Sequence, residues 1–129
     1  MIDHVSLPVR DLARARSVYD AMLAPLAMTR LIERPTTIGY GKTYPSLWLN
    51  ARPDAVRPGP GSGLHICLRA PSAQAVEAFH AAALAGGGAC DGPPGLRAQY
   101  LPNYFAAFIR DLDGNRLEAV VFLPGAEQP

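Results

Sequence analysis

Residues 4–23 read HVSLPVRDLARARSVYDAML, and this stretch decides the fold. Over residues 4–9 the apolar side chains Val5, Leu7 and Val9 alternate with those of His4, Ser6 and Pro8, which is typical of a strand buried on one face. Asp11 then provides an N-cap, and apolar residues spaced three and four positions apart predict a helix that ends near Leu23. Three short strand-like segments follow, at residues 28–33, 36–40 and 46–50. The first half of the chain therefore runs strand, helix, strand, strand, strand.

The same order of elements returns after a linker rich in proline and glycine at residues 52–63. A strand is predicted over residues 64–70, followed by a helix from the cap Ser72 to about residue 85. Further strand-like segments lie near residues 89–91 and 97, then at 104–110 and 115–122. When the second half is aligned with the first at an offset of 61 residues, His65 aligns with His4 and the cap Ser72 aligns with the cap Asp11. Equivalent roles at one constant offset favour duplication over chance recurrence of a common strand–helix unit.

Composition narrows the class of protein. Of the 129 residues, 49% are hydrophobic and 18% are charged, which is enough for the core of one compact domain. The formal net charge is +1, so we expect no nucleic-acid partner and no binding to an anionic membrane. Two cysteines are too few for a small secreted fold held by disulfides. The chain shows no signal-peptide pattern and no apolar stretch of about 18 residues, which favours a cytoplasmic protein.

Period-two alternation also assigns three polar residues to one face. In the strands that contain His4, His65 and Glu118, the apolar neighbours must face the helices, so these side chains take the uncovered face. We expect one curved sheet to bring the three together. Two imidazoles and a carboxylate can ligate Fe(II), Mn(II), Ni(II) or Zn(II). In the alternative interpretation the histidines are half-buried polar residues, and Glu118 pairs with Arg116 or with a histidine.

Two motifs resemble a known family. Residues 4–19 and the closing segment DLDGNRLE at residues 111–118 resemble the ends of vicinal oxygen chelate proteins. This superfamily includes glyoxalase I, extradiol ring-cleaving dioxygenases and bleomycin-resistance proteins. The resemblance implies an α+β fold in which two βαβββ modules form a curved mixed sheet around a central cavity. We expect one such domain over residues 1–129, with module one at about 1–51, the linker at about 52–63 and module two at about 64–124.

The resemblance also implies a metal site and a mode of assembly. The family's metal enzymes take one ligand each from the first, fifth and eighth strands, and these positions carry over to His4, His65 and Glu118. Glyoxalase I adds a fourth protein ligand on the fourth strand, where module symmetry places Trp48, which cannot ligate a metal. The three-ligand set of the extradiol dioxygenases stays intact. Family members also form homodimers, in some cases with the cavity built across two subunits.

Further residues are candidates for contacting a substrate. Trp48 would project its ring toward the cavity, either to stack a planar ligand or to fill space. Residues 95–104, before the seventh predicted strand, would orient a substrate oxygen through Arg97, Tyr100 or Tyr104, or else cover the core as a surface loop. Cys67 would line the cavity, and nothing basic in the sequence marks its thiol as activated. The candidate catalytic residues are Glu118 and Tyr104, and the candidate substrate-binding residues are Trp48, Cys67, Arg97, Tyr100 and Tyr104.

Two functions of different classes stay open from the sequence. One is a divalent-metal-dependent lyase, isomerase or ring-cleaving dioxygenase that acts on a small oxygenated molecule, with the metal as a Lewis acid. The other is a metal-free protein that binds a small ligand, as the family's resistance proteins do. Metal occupancy distinguishes the two.

Overall fold

The computed structural model describes residues 1–59 and 61–125, and it contains two modules with the same order of elements. Pro60, in the predicted linker, and residues 126–129, in the predicted domain, lie outside the described residues. The first module consists of β1 (Val5–Val9), α1 (Leu12–Leu23), a 3₁₀ helix (Ala24–Leu26), β2 (Thr29–Glu33), β3 (Thr37–Gly41) and β4 (Leu47–Ala51). The second consists of β5 (Ile66–Arg69), α2 (Ala73–Ala85), β6 (Ala89–Leu96), β7 (Tyr104–Arg110) and β8 (Arg116–Phe122). The predicted α+β fold of two βαβββ modules is confirmed.

Each module forms a four-stranded mixed sheet. The strand orders are β1-β4-β3-β2 and β5-β8-β7-β6, so the first strand of each module lies at a sheet edge and runs parallel to the last. Among the described residues the two sheets share no strand pairing, and they are therefore not one continuous hydrogen-bonded sheet. The edge strands β1 and β5 instead border a common groove of about 660 Å³.

Both helices begin at the predicted caps and pack on the apolar faces of the sheets. The Asp11 carboxylate accepts from the backbone N–H of Arg14 at 3.1 Å, and the Ser72 hydroxyl accepts from that of Ala75 at the same distance. The two helices also contact each other, so one apolar cluster joins both modules. Its largest fully buried side chains are Tyr19, Tyr40, Phe79, Met22 and Leu23. Burial of this cluster orients the sheets and leaves their other faces uncovered.

Strand β6 is longer than the sequence indicates. We predicted two pieces near residues 89–91 and 97, whereas the strand runs without a break over Ala89–Leu96. Its pairing with β7 shifts register between Cys90 and Gly92 and again between Gly92 and Gly95. Bulges of this kind admit glycine and proline into an edge strand, and they remove the period-two pattern by which a strand is recognised.

The turn between β7 and β8 ties the second module to the first. Asp111 Oδ2 accepts a hydrogen bond from the Tyr19 hydroxyl at 2.6 Å, and Asn115 Nδ2 donates to the Pro8 carbonyl at 2.9 Å. The backbone N–H of Arg10 donates to Asp113 Oδ1 at 3.0 Å. These bonds hold the end of the second sheet against α1 and β1. No helix in the described part of the chain is both long and apolar enough to cross a membrane.

Candidate functional site

The uncovered face of the second sheet is centred on Glu118. The carboxylate belongs to β8, between Cys67 of β5 and Phe108 of β7, which are its register partners on either side. Leu117 and Ala119 point to the core, so period two places Glu118 on the other face, as predicted. Glu118 is nevertheless only 3% exposed. A carboxylate this buried needs partners that offset the loss of hydration.

Two of the predicted site residues supply those partners. His65 Nε2 lies 3.0 Å from Glu118 Oε1, and the Tyr104 hydroxyl donates to Glu118 Oε2 at 2.5 Å. Burial raises the pKa of the Tyr104 phenol, and the hydrogen bond to Glu118 raises it further. The phenol therefore stays protonated at neutral pH and acts as a hydrogen-bond donor that orients the carboxylate.

Cys67 lies at the edge of this cluster. Its Sγ is 4.0 Å from the Tyr104 hydroxyl. Partial removal from solvent, followed by the charge of Glu118, raises the pKa of the Cys67 thiol to about 12. The thiol is therefore protonated at neutral pH, in agreement with the expectation that nothing activates it.

Aromatic rings pack against Tyr104 and His65, the two side chains that contact Glu118. Tyr100 and Phe122 pack edge-on against Tyr104, with ring centroids 5.1 and 5.5 Å away. The Phe108 ring lies 6.3 Å from that of His65. The sequence interpretation missed both phenylalanines, although Phe108 could have been found, because alternation along β7 places it on the same face as Tyr104.

Arg97 lies beside this face but is occupied by the backbone. Its Nη1 and Nη2 donate to the carbonyls of Gly95 and Pro93, at 3.0 and 2.6 Å. Its guanidinium also lies over the Phe108 ring, 5.4 Å from the centroid. Arg97 therefore stabilises the irregular strand β6, and its contact with the face that carries Glu118 is the one with the Phe108 ring.

Within one chain, His4 has a different partner from His65 and Glu118, which contact each other. Its Nδ1 lies 2.7 Å from the carboxylate of Asp3, on the exposed segment before β1. In the described residues, no three histidine, cysteine, aspartate or glutamate side chains converge as a metal site would require. His4 and His65 both line the groove between the edge strands. The predicted triad assumed one continuous sheet, whereas the described strands form two separate sheets, and a metal site at these three residues stays a prediction.

Comparison with known proteins identifies the fold. No family model and no curated protein matches the chain. A solved glyoxalase/bleomycin resistance protein from Albidiferax ferrireducens is 29% identical, with a TM-score of 0.79, and the match covers 92% of this chain and 96% of that one. The chain has the vicinal oxygen chelate fold. The resemblance predicted from the end motifs is confirmed.

More distant structures share this fold at lower identity. A fosfomycin resistance protein from Listeria monocytogenes is 16% identical, with a TM-score of 0.64, over 91% of this chain and 88% of that one. A glyoxalase I mutant from Zea mays is 21% identical, with a TM-score of 0.68, over 91% of this chain but 45% of that one. The vicinal oxygen chelate fold thus accommodates proteins described by different activities, so the function of this chain depends on its own side chains.

Trp48 occupies the position in the first module that Glu118 occupies in the second. It pairs with Ser6 and Gly39, as Glu118 pairs with Cys67 and Phe108. The Arg34 guanidinium lies 5.6 Å from the centre of the indole. A Cβ atom on Gly39 would lie 2.9 Å from Trp48 Cζ3, so the missing side chain makes room for the ring. The open face of the first sheet therefore presents an indole where the second presents a carboxylate.

Proposed function

We propose that the protein binds a divalent metal ion with His65 and Glu118 and uses it as a lyase, isomerase or dioxygenase on a small oxygenated molecule. The observation that carries this proposal is the contact between His65 and the buried Glu118. Fe, Mn, Ni and Zn all suit two imidazoles and a carboxylate.

The residues present fit a metal ion. Among the described residues, the ion-pair partner of Glu118 is His65, and no lysine or arginine lies within 4.0 Å of the carboxylate. A carboxylate buried away from lysine and arginine side chains is destabilising, and a divalent cation would offset that cost. His65 Nε2 and Glu118 Oε1 are 3.0 Å apart. Two ligands of one ion, each about 2.1 Å from it, are separated by about 3.0–3.4 Å.

The third ligand in this proposal is His4 of a second copy of the chain. Within one chain His4 directly precedes β1 of the other sheet. The segments that lead into β1 and β5 carry exposed apolar residues beside the shared groove, with Ile2 80% and Leu64 66% exposed. Unpaired edges with apolar neighbours favour association with another copy. The family resemblance supports this arrangement, since some members build the cavity across two subunits.

When bound, the metal supplies Lewis-acid polarisation of substrate oxygens. The chain's own side chains supply orientation and proton transfer. The Tyr104 hydroxyl fixes Glu118 Oε2 and so directs the carboxylate at the substrate. Glu118 accepts the proton that the substrate loses, and its burial keeps competing water away. Tyr100 and Phe108 provide apolar contact for the rest of the molecule, and Cys67 lines the cavity beside them.

Metal analysis tests the ligand assignment. Protein purified without chelator is expected to hold about one divalent ion per chain, and His65→Ala and Glu118→Gln are expected to lose it. His80→Ala is the matched control, because His80 lies on α2 and contacts Cys90 away from the site. Equal metal in all four proteins would contradict the assignment.

Mixing of variants tests the shared site. In a hybrid of His4→Ala with a chain carrying both His65→Ala and Glu118→Gln, a site built across subunits is complete once per dimer. A site built within one chain is complete in neither copy. Recovery of about half the metal in the isolated hybrid supports the proposal, and recovery of none contradicts it.

A second candidate function is metal-free binding of a planar ligand. It is favoured by the indole of Trp48, which lies on an open sheet face with Arg34 beside it. A metal-free sample titrated with planar aromatic compounds would show a change in Trp48 fluorescence. If no compound in the set changes the emission, this candidate is wrong.

A further inference from the structure

A cavity of about 540 Å³ lies at the end of the second sheet, where it meets α1 and the linker. Four arginines contribute to its wall: Arg14, Arg57, Arg110 and Arg116. They come from α1, the linker, β7 and β8, so positive charges distant in sequence converge on one concavity. The proposed metal site does not use any of these four residues.

Two of the arginines lie directly opposite each other. Arg110 and Arg116 are register partners in the β7–β8 pair. Like charges in this position repel, so the pair requires a nearby anion. Asp91 provides one carboxylate for both, with its oxygens 3.4 Å from Arg110 Nε and 3.6 Å from Arg116 Nε. Both distances exceed the roughly 2.7–2.9 Å of a strong charged hydrogen bond, so the Asp91 contact leaves the two guanidinium groups with donors to spare.

The other two arginines lack an acidic partner in the described part of the chain. No carboxylate there lies within 4.0 Å of Arg14 or Arg57. Two glycines with positive φ shape the wall next to them. A Cβ on Gly87 (φ 96) would lie 3.7 Å from Arg14 Nη2, and one on Gly114 (φ 83) would lie 3.8 Å from Arg57 Cβ.

The acidic residue in the cavity wall is already engaged. Asp111 Oδ1 accepts from the backbone N–H groups of Asp113 and Asn115, and its Oδ2 accepts from Tyr19 and from the Asn115 side chain. With four arginines against Asp91 and Asp111, the cavity keeps an excess of about two positive charges.

We propose that this cavity binds a small, multiply charged anion that carries a phosphate or diphosphate group. Planar guanidinium groups match phosphate oxygens in pairs, and convergent arginines are the usual means of holding them. The volume exceeds that of a phosphate ion and lies in the range of small-molecule sites, so the ligand is a phosphorylated small molecule. The wall of this cavity contains neither His65 nor Glu118, although Arg116 also lines a small pocket beside His65, and the proposal does not depend on the metal site.

Isothermal titration with inorganic pyrophosphate tests the proposal. We expect one site per chain, with binding that weakens as NaCl is added. The double variant Arg14→Gln/Arg57→Gln is expected to weaken binding at least about tenfold, because each substitution removes a charged donor. Both side chains are exposed, so the variant is expected to fold, which a thermal melt verifies.

Two controls distinguish this site from general attraction to positive charge and from the proposed metal site. Arg34→Gln/Lys42→Gln removes the same charge from turns of the first module, and it is expected to bind pyrophosphate as the wild type does. Glu118→Gln is also expected to retain binding, which excludes capture of pyrophosphate by a metal at His65. The proposal is overturned if wild-type protein fails to bind at millimolar pyrophosphate, if Arg14→Gln/Arg57→Gln binds unchanged, or if either control loses binding to the same extent.

Discussion

Replacing Tyr19 by Phe tests how the two modules are held together. The Tyr19 ring is 1% exposed in the shared core, and its hydroxyl donates to Asp111 Oδ2 across the module boundary. Phenylalanine keeps the ring and its packing and removes a single donor. Asp111 is itself only 8% exposed, so no water is expected to take the place of the lost hydroxyl without rearrangement.

The magnitude follows from the charge and burial of the acceptor. A hydrogen bond to a charged group contributes about 1.5–3 kcal/mol, against about 1 kcal/mol for a neutral pair. We therefore expect Tyr19→Phe to lower the free energy of unfolding by about 2–3 kcal/mol, with a fall in Tm of about 5–12 °C for a domain of this size. Urea unfolding followed by circular dichroism measures the difference.

Tyr40 provides a matched control within the same core. Its ring is fully buried, and its hydroxyl donates to Asp20 Oδ1 at 2.8 Å. The Asp20 side chain is 38% exposed, so water and salt compete for that carboxylate. Tyr40→Phe is expected to cost about 1 kcal/mol or less. If it costs as much as Tyr19→Phe, burial of the acceptor does not set the strength of these bonds and the reasoning fails.

The effect of pH gives the Tyr19 prediction a second readout. Burial raises the pKa of Asp111, although the hydrogen bonds from Tyr19 and Asn115 oppose the shift. A carboxyl group whose pKa is higher in the folded than in the unfolded protein binds its proton more tightly in the folded state. Its contribution to stability is therefore full below the unfolded pKa of about 3.8, and it is lost as the pH rises through the folded pKa. Tyr19→Phe removes one opposing bond, so the Asp111 pKa rises further in the variant. The stability gap between the two proteins should therefore widen as the pH rises from about 4 through the folded pKa of Asp111 in the variant.

Three other substitutions have defined outcomes. Tyr104→Phe frees Glu118 Oε2 and should weaken metal affinity about 10- to 100-fold in a chelator competition, whereas unchanged affinity would remove the orienting role of the phenol. Gly39→Ala places a methyl group against the Trp48 ring, and it should shift tryptophan emission and cost about 1–3 kcal/mol in urea unfolding. Ser72→Ala removes the cap of α2, with an expected loss of about 1 kcal/mol in the same assay and no change in emission.

The helices and most strands could be predicted because their signals are local. The Asp11 cap and the spacing of apolar residues predicted α1 at the bounds that the structure shows. The full length of strand β6 was not predicted, because its bulges at residues 90–95 interrupt the alternation that identifies a strand. Local signals also placed Glu118, Cys67 and His65 on the face opposite the core, since a strand alternates wherever one side is buried.

The relation between the two sheets could not be predicted in this way. Periodicity states which face a residue occupies, but it carries no information on how one sheet is placed against another. His4 and His65 are equivalent by the repeat, yet the strands that follow them, β1 and β5, lie at edges of different sheets. The placement of one edge against the other depends on contacts far apart in sequence, such as the bond between Tyr19 and Asp111.

Comparison of the two open faces shows that the two modules differ in side-chain chemistry while sharing one order of strands. At equivalent register positions, the first sheet pairs Trp48 with Gly39 and the second pairs Glu118 with Phe108. In each pair a larger side chain on one strand is matched by a smaller one on its neighbour, so the sheet surface is filled in both cases without displacing a strand. In the first module the aromatic ring, Trp48, lies on the last strand, whereas in the second module the ring, Phe108, lies on the neighbouring strand and the last strand carries Glu118. The second module therefore presents a carboxylate and the first an indole at equivalent positions, with the same order and pairing of the strands.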